Sequence, residues 1–187
     1  IEAGTMAIAA VITKGDVTIK GFDIDQMDAF FNRLRETGAN FELTKDGVRF
    51  FKQPKSFKAI KKLDTRTYPG FPTDLQAPFG VLLTQCDGIS KIFETLFEDR
   101  LSYLFELEKM GARIEVYNPH QALVVGPANL KGATVTSYDL RAGAAMVLAG
   151  LIASGETEVV NINYIDRGYE RLDEKLRKLG ADIRRAE

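Results

Sequence analysis

The 187-residue chain has one cysteine, one histidine and no tryptophan. With Cys86 as its only thiol it can form no intrachain disulfide, which fits a reducing compartment. The lone histidine, His120, stands in the turn Asn118-Pro119-His120, where a solvent-exposed ring is expected. No second histidine or cysteine stands at a metal-ligand spacing, so no metal site is expected. There is no glycine-rich phosphate loop, no signal peptide and no run of 18 apolar residues, so the expectation is a cytoplasmic protein that does not span a membrane. Charge of one sign is also lacking. The 25 Lys and Arg nearly balance the 26 Asp and Glu, and a net charge of −1 argues against general nucleic-acid binding. The chain begins at Ile1 without a methionine, which points to a fragment or a processed product.

What is present is enough for a core, with 45% hydrophobic and 27% charged residues. One basic run stands out. Lys52, Lys55, Lys58, Lys61 and Lys62 occur with no acid among them, which reads as a solvated loop or an edge-strand guard. The dominant feature is a repeat. The motifs Gly38-Ala39-Asn40-Phe41, Gly111-Ala112-Arg113-Ile114 and Gly180-Ala181-Asp182-Ile183 share one form. They follow Gly15, Gly88 and Gly155 at spacings of 23, 23 and 25 residues. Two landmarks kept in step three times indicate three copies of one supersecondary unit, over approximately 1–66, 67–132 and 133–187.

Each unit opens with an apolar run, Thr5–Ile12, Leu75–Leu83 or Leu140–Ile152, that is apolar on every side and rich in Ala and Gly, as for a buried helix approached closely by others. A second helix follows, over Gln26–Thr37, Glu98–Met110 or Tyr169–Leu179, with apolar residues three and four apart and charges between. In the third of these, Leu172, Leu176 and Leu179 form the apolar stripe. Strands are expected after the glycine turns, at Asp16–Phe22, Ile89–Phe93 and Glu156–Ile162. Others are expected after the closing motifs, at Phe41–Leu43, Val48–Phe51, Arg113–Tyr117, Ala122–Val125 and Asp182–Arg184. The fold class expected is α/β: three helix-strand-helix-strand-strand units in an inside-out α/β barrel with buried central helices. Unit three lacks the last strand. This leaves an open sheet edge beside Asp182–Arg184 for another segment of a longer parent.

The three buried helices should start at one end of the domain, where unpaired N–H groups favour anions. Their heads are Ile1-Glu2-Ala3-Gly4-Thr5, Phe71-Pro72-Thr73-Asp74-Leu75-Gln76 and Tyr138-Asp139-Leu140-Arg141-Ala142. Spacing alone leaves two readings of Asp74 and Asp139 open, helix caps or functional acids, and favours caps.

The stretches Tyr68-Pro69-Gly70-Phe71-Pro72-Thr73-Asp74-Leu75-Gln76-Ala77, Asp139-Leu140-Arg141-Ala142 and Ile165-Asp166-Arg167-Gly168-Tyr169-Glu170-Arg171 are similar to those of the UDP-N-acetylglucosamine 1-carboxyvinyltransferases, which are enolpyruvyl transferases. Glu94-Thr95-Leu96-Phe97-Glu98-Asp99-Arg100 resembles the sugar-contacting stretch of that family. The resemblance covers essentially the whole chain. It implies one half of a two-domain enzyme, with UDP-N-acetylglucosamine and phosphoenolpyruvate bound between the halves. The missing N-terminal catalytic domain would carry the reactive cysteine, and the parent's first strand would complete this domain. No metal or organic cofactor is implied. Carried over by motif, Asp74 would take the proton of the sugar 3-hydroxyl and Asp139 would lie near the reacting centre. Thr95, Leu96 and Phe97 would contact the sugar nucleotide, and Arg141 and Arg167 would face phosphoenolpyruvate. From the residues alone, an ion pair with Asp166 or Glu170 is the simpler reading of Arg167. The chain departs from the family at Pro78, Phe93 and Tyr103. The alternative left open is a non-catalytic sugar-nucleotide-binding or assembly domain of a diverged paralogue.

Overall fold

The structure, a computed structural model, describes residues 1–186. In the first unit α1 (Glu2–Ile12) leads through β1 (Val17–Lys20) to α2 (Asp28–Thr37), β2 (Phe41–Thr44) and β3 (Gly47–Phe50). Two short strands, β4 (Phe57–Lys58) and β5 (Lys62–Asp64), and a 3-10 turn over Thr73–Leu75 lead into the second unit. It consists of α3 (Gln76–Thr84), β6 (Cys86–Phe93), α4 (Tyr103–Lys109), β7 (Arg113–Asn118) and β8 (Gln121–Gly126). After β9 (Thr134–Thr136) come α5 (Leu140–Ile152), β10 (Glu158–Val160), α6 (Asn163–Asp166) and α7 (Leu172–Lys178).

Helices α1, α3 and α5 pack against one another at the centre, and all nine residues of α3 are buried. Small residues permit this. A Cβ on Gly4 of α1 would lie 2.6 Å from Leu75 Cδ1, and one on Gly80 of α3 would lie 2.2 Å from Tyr103 Oη. Helices α2, α4 and α7 each bury one face, through Phe30, Phe31 and Leu34, through Tyr103, Leu104 and Leu107, and through Leu172 and Leu176. The repeated Gly-Ala motif is a helix stop. Gly38 takes φ +79°, its N–H bonds Arg35 O, and Ala39 N–H bonds Leu34 O, an ending that a left-handed residue makes and glycine adopts without strain. Gly111-Ala112 and Gly180-Ala181 repeat the same pair of bonds.

The strands form three separate sheets, with no closed barrel among the described residues. β1, β3 and β2 form one, all antiparallel. In the second, β6 pairs antiparallel with β8 and β8 with β7, while β4 and β5 lie end to end, parallel to β6, along its other edge. In the third, β9 pairs parallel with β10. The lysine run is therefore an edge guard: β4 and β5 are edge strands, Lys58 and Lys61 are exposed, and Lys62 Nζ stands 4.8 Å from the Phe93 ring centroid.

Several expectations are corrected. β6 does not start after Gly88 but runs through it, with Gly88 opposite Gly126 in the ladder. A Cβ at Gly126 would lie 2.2 Å from Cys86 O, so glycine there permits the close approach. Strands β4, β5 and β9 were not expected. Helix α4 begins at Tyr103, because Glu98–Ser102 is spent in turns, with Asp99 at φ +60°. Asp182–Arg184 forms no strand. Its exposure alternates as a strand's would, but β10 has only β9 beside it, and a strand without a partner leaves its backbone groups unpaired. Leu179 falls just past α7 and is 54% exposed, so it does not extend the buried stripe.

Candidate active site at the heads of the buried helices

The expected convergence of the buried helix heads is present, and Asp74 is its centre. The 3-10 turn sets Asp74 just before α3. Its Oδ1 accepts a hydrogen bond from Arg100 Nη1 at 2.8 Å, and its Oδ2 accepts one from Arg141 Nη2 on α5 at 3.1 Å. Arg141 also lies over the Tyr169 ring, 5.4 Å from its centroid, and Tyr169 Oη meets Thr5 Oγ1 of α1 at 3.0 Å. All three helix heads are thereby joined through side chains. Burial pushes the Asp74 carboxyl up, but the Arg100 hydrogen bond and the charges of Arg141 and Arg100 outweigh it. They hold the carboxyl below its usual 3.8. Asp74 is thus a carboxylate at neutral pH, with a guanidinium on each oxygen.

Asp139 is placed differently. It is the N-cap of α5, and its Oδ1 accepts from Arg141 N at 2.7 Å and from Ala142 N at 2.8 Å. The capping reading holds for Asp139. For Asp74 it does not, since neither the 3-10 turn nor α3 has a side-chain cap. Pro78 is the third residue of α3, within the first turn, where an N–H has no partner in the helix to lose.

Thr95, Leu96 and Phe97 follow β6 as a loop beside Asp74's partner Arg100. Thr95 N–H donates to Thr65 Oγ1 at 2.9 Å, and its hydroxyl donates to Thr65 O. Leu96 and Phe97 are 37% and 50% exposed, and the Phe97 ring centroid lies 4.7 Å from the Arg100 guanidinium. Arg167 is exposed beyond α6, and the structure does not bring it to Asp74. The simple ion pair is not formed either, because Asp166 pairs with Arg185 and Glu170 with Lys175.

Sequence reasoning missed Arg100, Tyr169 and Glu94 as parts of this site. All three stood inside the quoted motifs, but each has a partner distant in the chain that no local pattern records. His120 is half-buried rather than exposed, and its Nδ1 lies 2.9 Å from Glu94 O. The Cys86 thiol is buried, its pKa pushed up by burial to about 12, and it donates to Leu82 O at 3.3 Å, so it is structural. No group of three or more acidic, histidine or cysteine side chains is placed to hold a metal among the described residues. None of their helices is long and apolar enough to cross a membrane.

The arrangement can ionise or orient a hydroxyl at Asp74 and can hold a carboxylate or phosphate on its arginines. Comparison with known proteins gives the family. The chain is 46% identical over 187 residues to a UDP-N-acetylglucosamine 1-carboxyvinyltransferase of Halothermothrix orenii, aligned over 99% of this chain and 44% of that protein. It is 47% identical over 185 residues to UDP-N-acetylglucosamine 1-carboxyvinyltransferase 3 of Caldanaerobacter subterraneus subsp. tengcongensis, aligned over 98% of this chain and 43% of that one. The chain thus spans less than half the length of these relatives. The enolpyruvyl transferase NikO of Streptomyces tendae superposes with a TM-score of 0.86 at 27% identity, over 97% of this chain and 43% of that structure. An EPSP synthase from Acinetobacter baumannii shares the fold, with a TM-score of 0.74 at 17% identity over 100% of this chain and 46% of that one. The family model for EPSP synthase (3-phosphoshikimate 1-carboxyvinyltransferase) matches residues 1–176, and with that match across nearly its whole length the chain belongs to this family.

Proposed function

We propose that the chain is one half of a two-domain enzyme that moves the enolpyruvyl group of phosphoenolpyruvate to the 3-hydroxyl of UDP-N-acetylglucosamine, releasing phosphate. In this reading, residues 1–187 are a single domain of three units, over approximately 1–66, 67–132 and 133–187. The enzyme acts in the cytoplasm, at the start of peptidoglycan synthesis. The observation that carries the reading is Asp74 held between Arg100 and Arg141 where the three buried helices begin. The relatives' names point to the same substrates.

A sugar alcohol is a poor nucleophile, so a carboxylate within hydrogen-bond reach must accept its proton. Both oxygens of Asp74 are occupied by guanidinium groups in the unliganded site. The incoming hydroxyl therefore displaces one of them. The released arginine then turns to the carboxylate or phosphate of phosphoenolpyruvate, which its planar fork fits. Arg167, exposed and outside the ion pairs of its neighbours Asp166 and Glu170, supplies further positive charge from the α6–α7 connection. Thr95, Leu96 and Phe97 form one wall for the sugar nucleotide. Asp139 fixes the start of α5, and with it the Arg141 backbone, close to the reaction.

The test is phosphate release by the complete protein given both substrates. Asp74→Asn keeps the size of the side chain and removes the proton acceptor. It should fold normally and lose about 10²–10⁴-fold in rate. Turnover within a few-fold of the parent would reduce Asp74 to an ion-pair partner. Because Asp74 is held below its usual 3.8, the acidic limb of the parent's kcat/KM profile should lie below the ordinary carboxylate range.

A further inference from the structure

Glu94 has no exposed surface and directly follows β6, between two segments of the site. Its Oε1 accepts hydrogen bonds from Thr65 Oγ1 at 2.8 Å, Leu96 N at 2.9 Å and Phe97 N at 3.3 Å. Its Oε2 accepts from Thr73 Oγ1 at 2.8 Å and Gln76 Nε2 at 3.1 Å. One oxygen therefore holds the Thr95–Phe97 loop, and the other holds the residues on either side of Asp74. The main chain of Glu94 is tied as well, its N–H to His120 O at 2.8 Å and its carbonyl to the His120 ring.

We infer that Glu94 is a positioning residue. It locks the Asp74 turn to the Leu96–Phe97 loop, so that the proton acceptor and the sugar-facing wall keep one fixed separation. The inference rests on the function proposed above. An ionised carboxylate is an acceptor only, and five donors converge on this one. An alanine in its place removes all five acceptor bonds at once and frees both segments. A glutamine keeps an acceptor oxygen for the Leu96 and Phe97 amides, which can only donate, and its NH₂ group can be met by the Thr73 hydroxyl and a flipped Gln76 amide, so it keeps much of the lock. Displacing a reacting group by about 1 Å can cost roughly 10²-fold in rate.

The experiment uses the complete protein. Glu94→Ala should lower kcat/KM by about 10²-fold, with KM for UDP-N-acetylglucosamine raised and kcat lowered together, because wall and proton acceptor both move. Hydrogen exchange at the Leu96 and Phe97 amides should speed up. Glu94→Gln, which keeps the shape and most of the hydrogen bonds, should recover about 10-fold or more of the loss. Should Glu94→Ala fail to fold, Glu94→Asp keeps the charge but falls one methylene short, and gives the same readouts. Kinetics within about three-fold of the parent in folded Glu94→Ala or Glu94→Asp would overturn the inference. Unchanged amide protection would overturn it as well. If the parent itself turns over no UDP-N-acetylglucosamine, the proposed function fails on that ground, while the Leu96 and Phe97 amides still decide the role of Glu94.

Discussion

Asp74 and Asp139 head neighbouring buried helices, and nothing in their spacing tells them apart. Their hydrogen bonds do. Asp139 gives Oδ1 to two backbone amides of α5, whereas Asp74 caps nothing and gives each oxygen to an arginine. Removing the Asp139 cap should therefore show first as lost stability. Asp139→Ala should cost about 1 kcal/mol, and Asp139→Asn, an equally good cap, only a few tenths. Denaturant midpoints of the two variants check this, and with stability held in Asp139→Asn any remaining loss of turnover belongs to the missing charge. A full 1 kcal/mol loss in the Asn variant would mean that α5 is held by the charge and not by the cap. The same contrast shows why the site was only half legible. Arg100 stood within a quoted motif, yet its role depends on a bond across 26 residues of chain that no local pattern records.

Elements were legible where their pattern was local. The apolar run Leu140–Ile152 gave α5 with its observed limits, because a stretch rich in alanine and glycine can be buried on every side. Strands β4, β5 and β9 were missed. They are two or three residues long, β4 and β5 carry lysine, and each pairs parallel with a strand beyond the next helix, so no alternation marks them. Asp182–Arg184 was the opposite case, an alternating segment with no neighbour to pair with. In the isolated chain its amides should exchange with solvent at unprotected rates. In the complete protein, with a strand seated between it and β10, they should become slow. Strong protection in a dilute monomer of the chain alone would rule out the missing strand.

At the scale of the molecule, the alignment covers 44% of the Halothermothrix orenii relative, and in the two-domain function proposed above the site described is one wall of a cleft. In that function, departure of phosphate from the enolpyruvyl carbon needs cationic groups around the leaving phosphate and exclusion of water by closure, and one half of the enzyme gives neither completely. The isolated chain should release no phosphate from phosphoenolpyruvate and UDP-N-acetylglucosamine above a blank without enzyme, and a measured turnover would refute the two-domain reading. The glycine stops that end α2, α4 and α7 have a separate consequence. They are alike in all three copies, while the heads of the buried helices, which carry Asp74 and Arg141, are all different. The three copies thus share the punctuation of the fold but not its chemical vocabulary. What a helix head recognises can therefore be rewritten without touching the signals that end the surface helices, which leaves this architecture free to take other substrates without being reinvented.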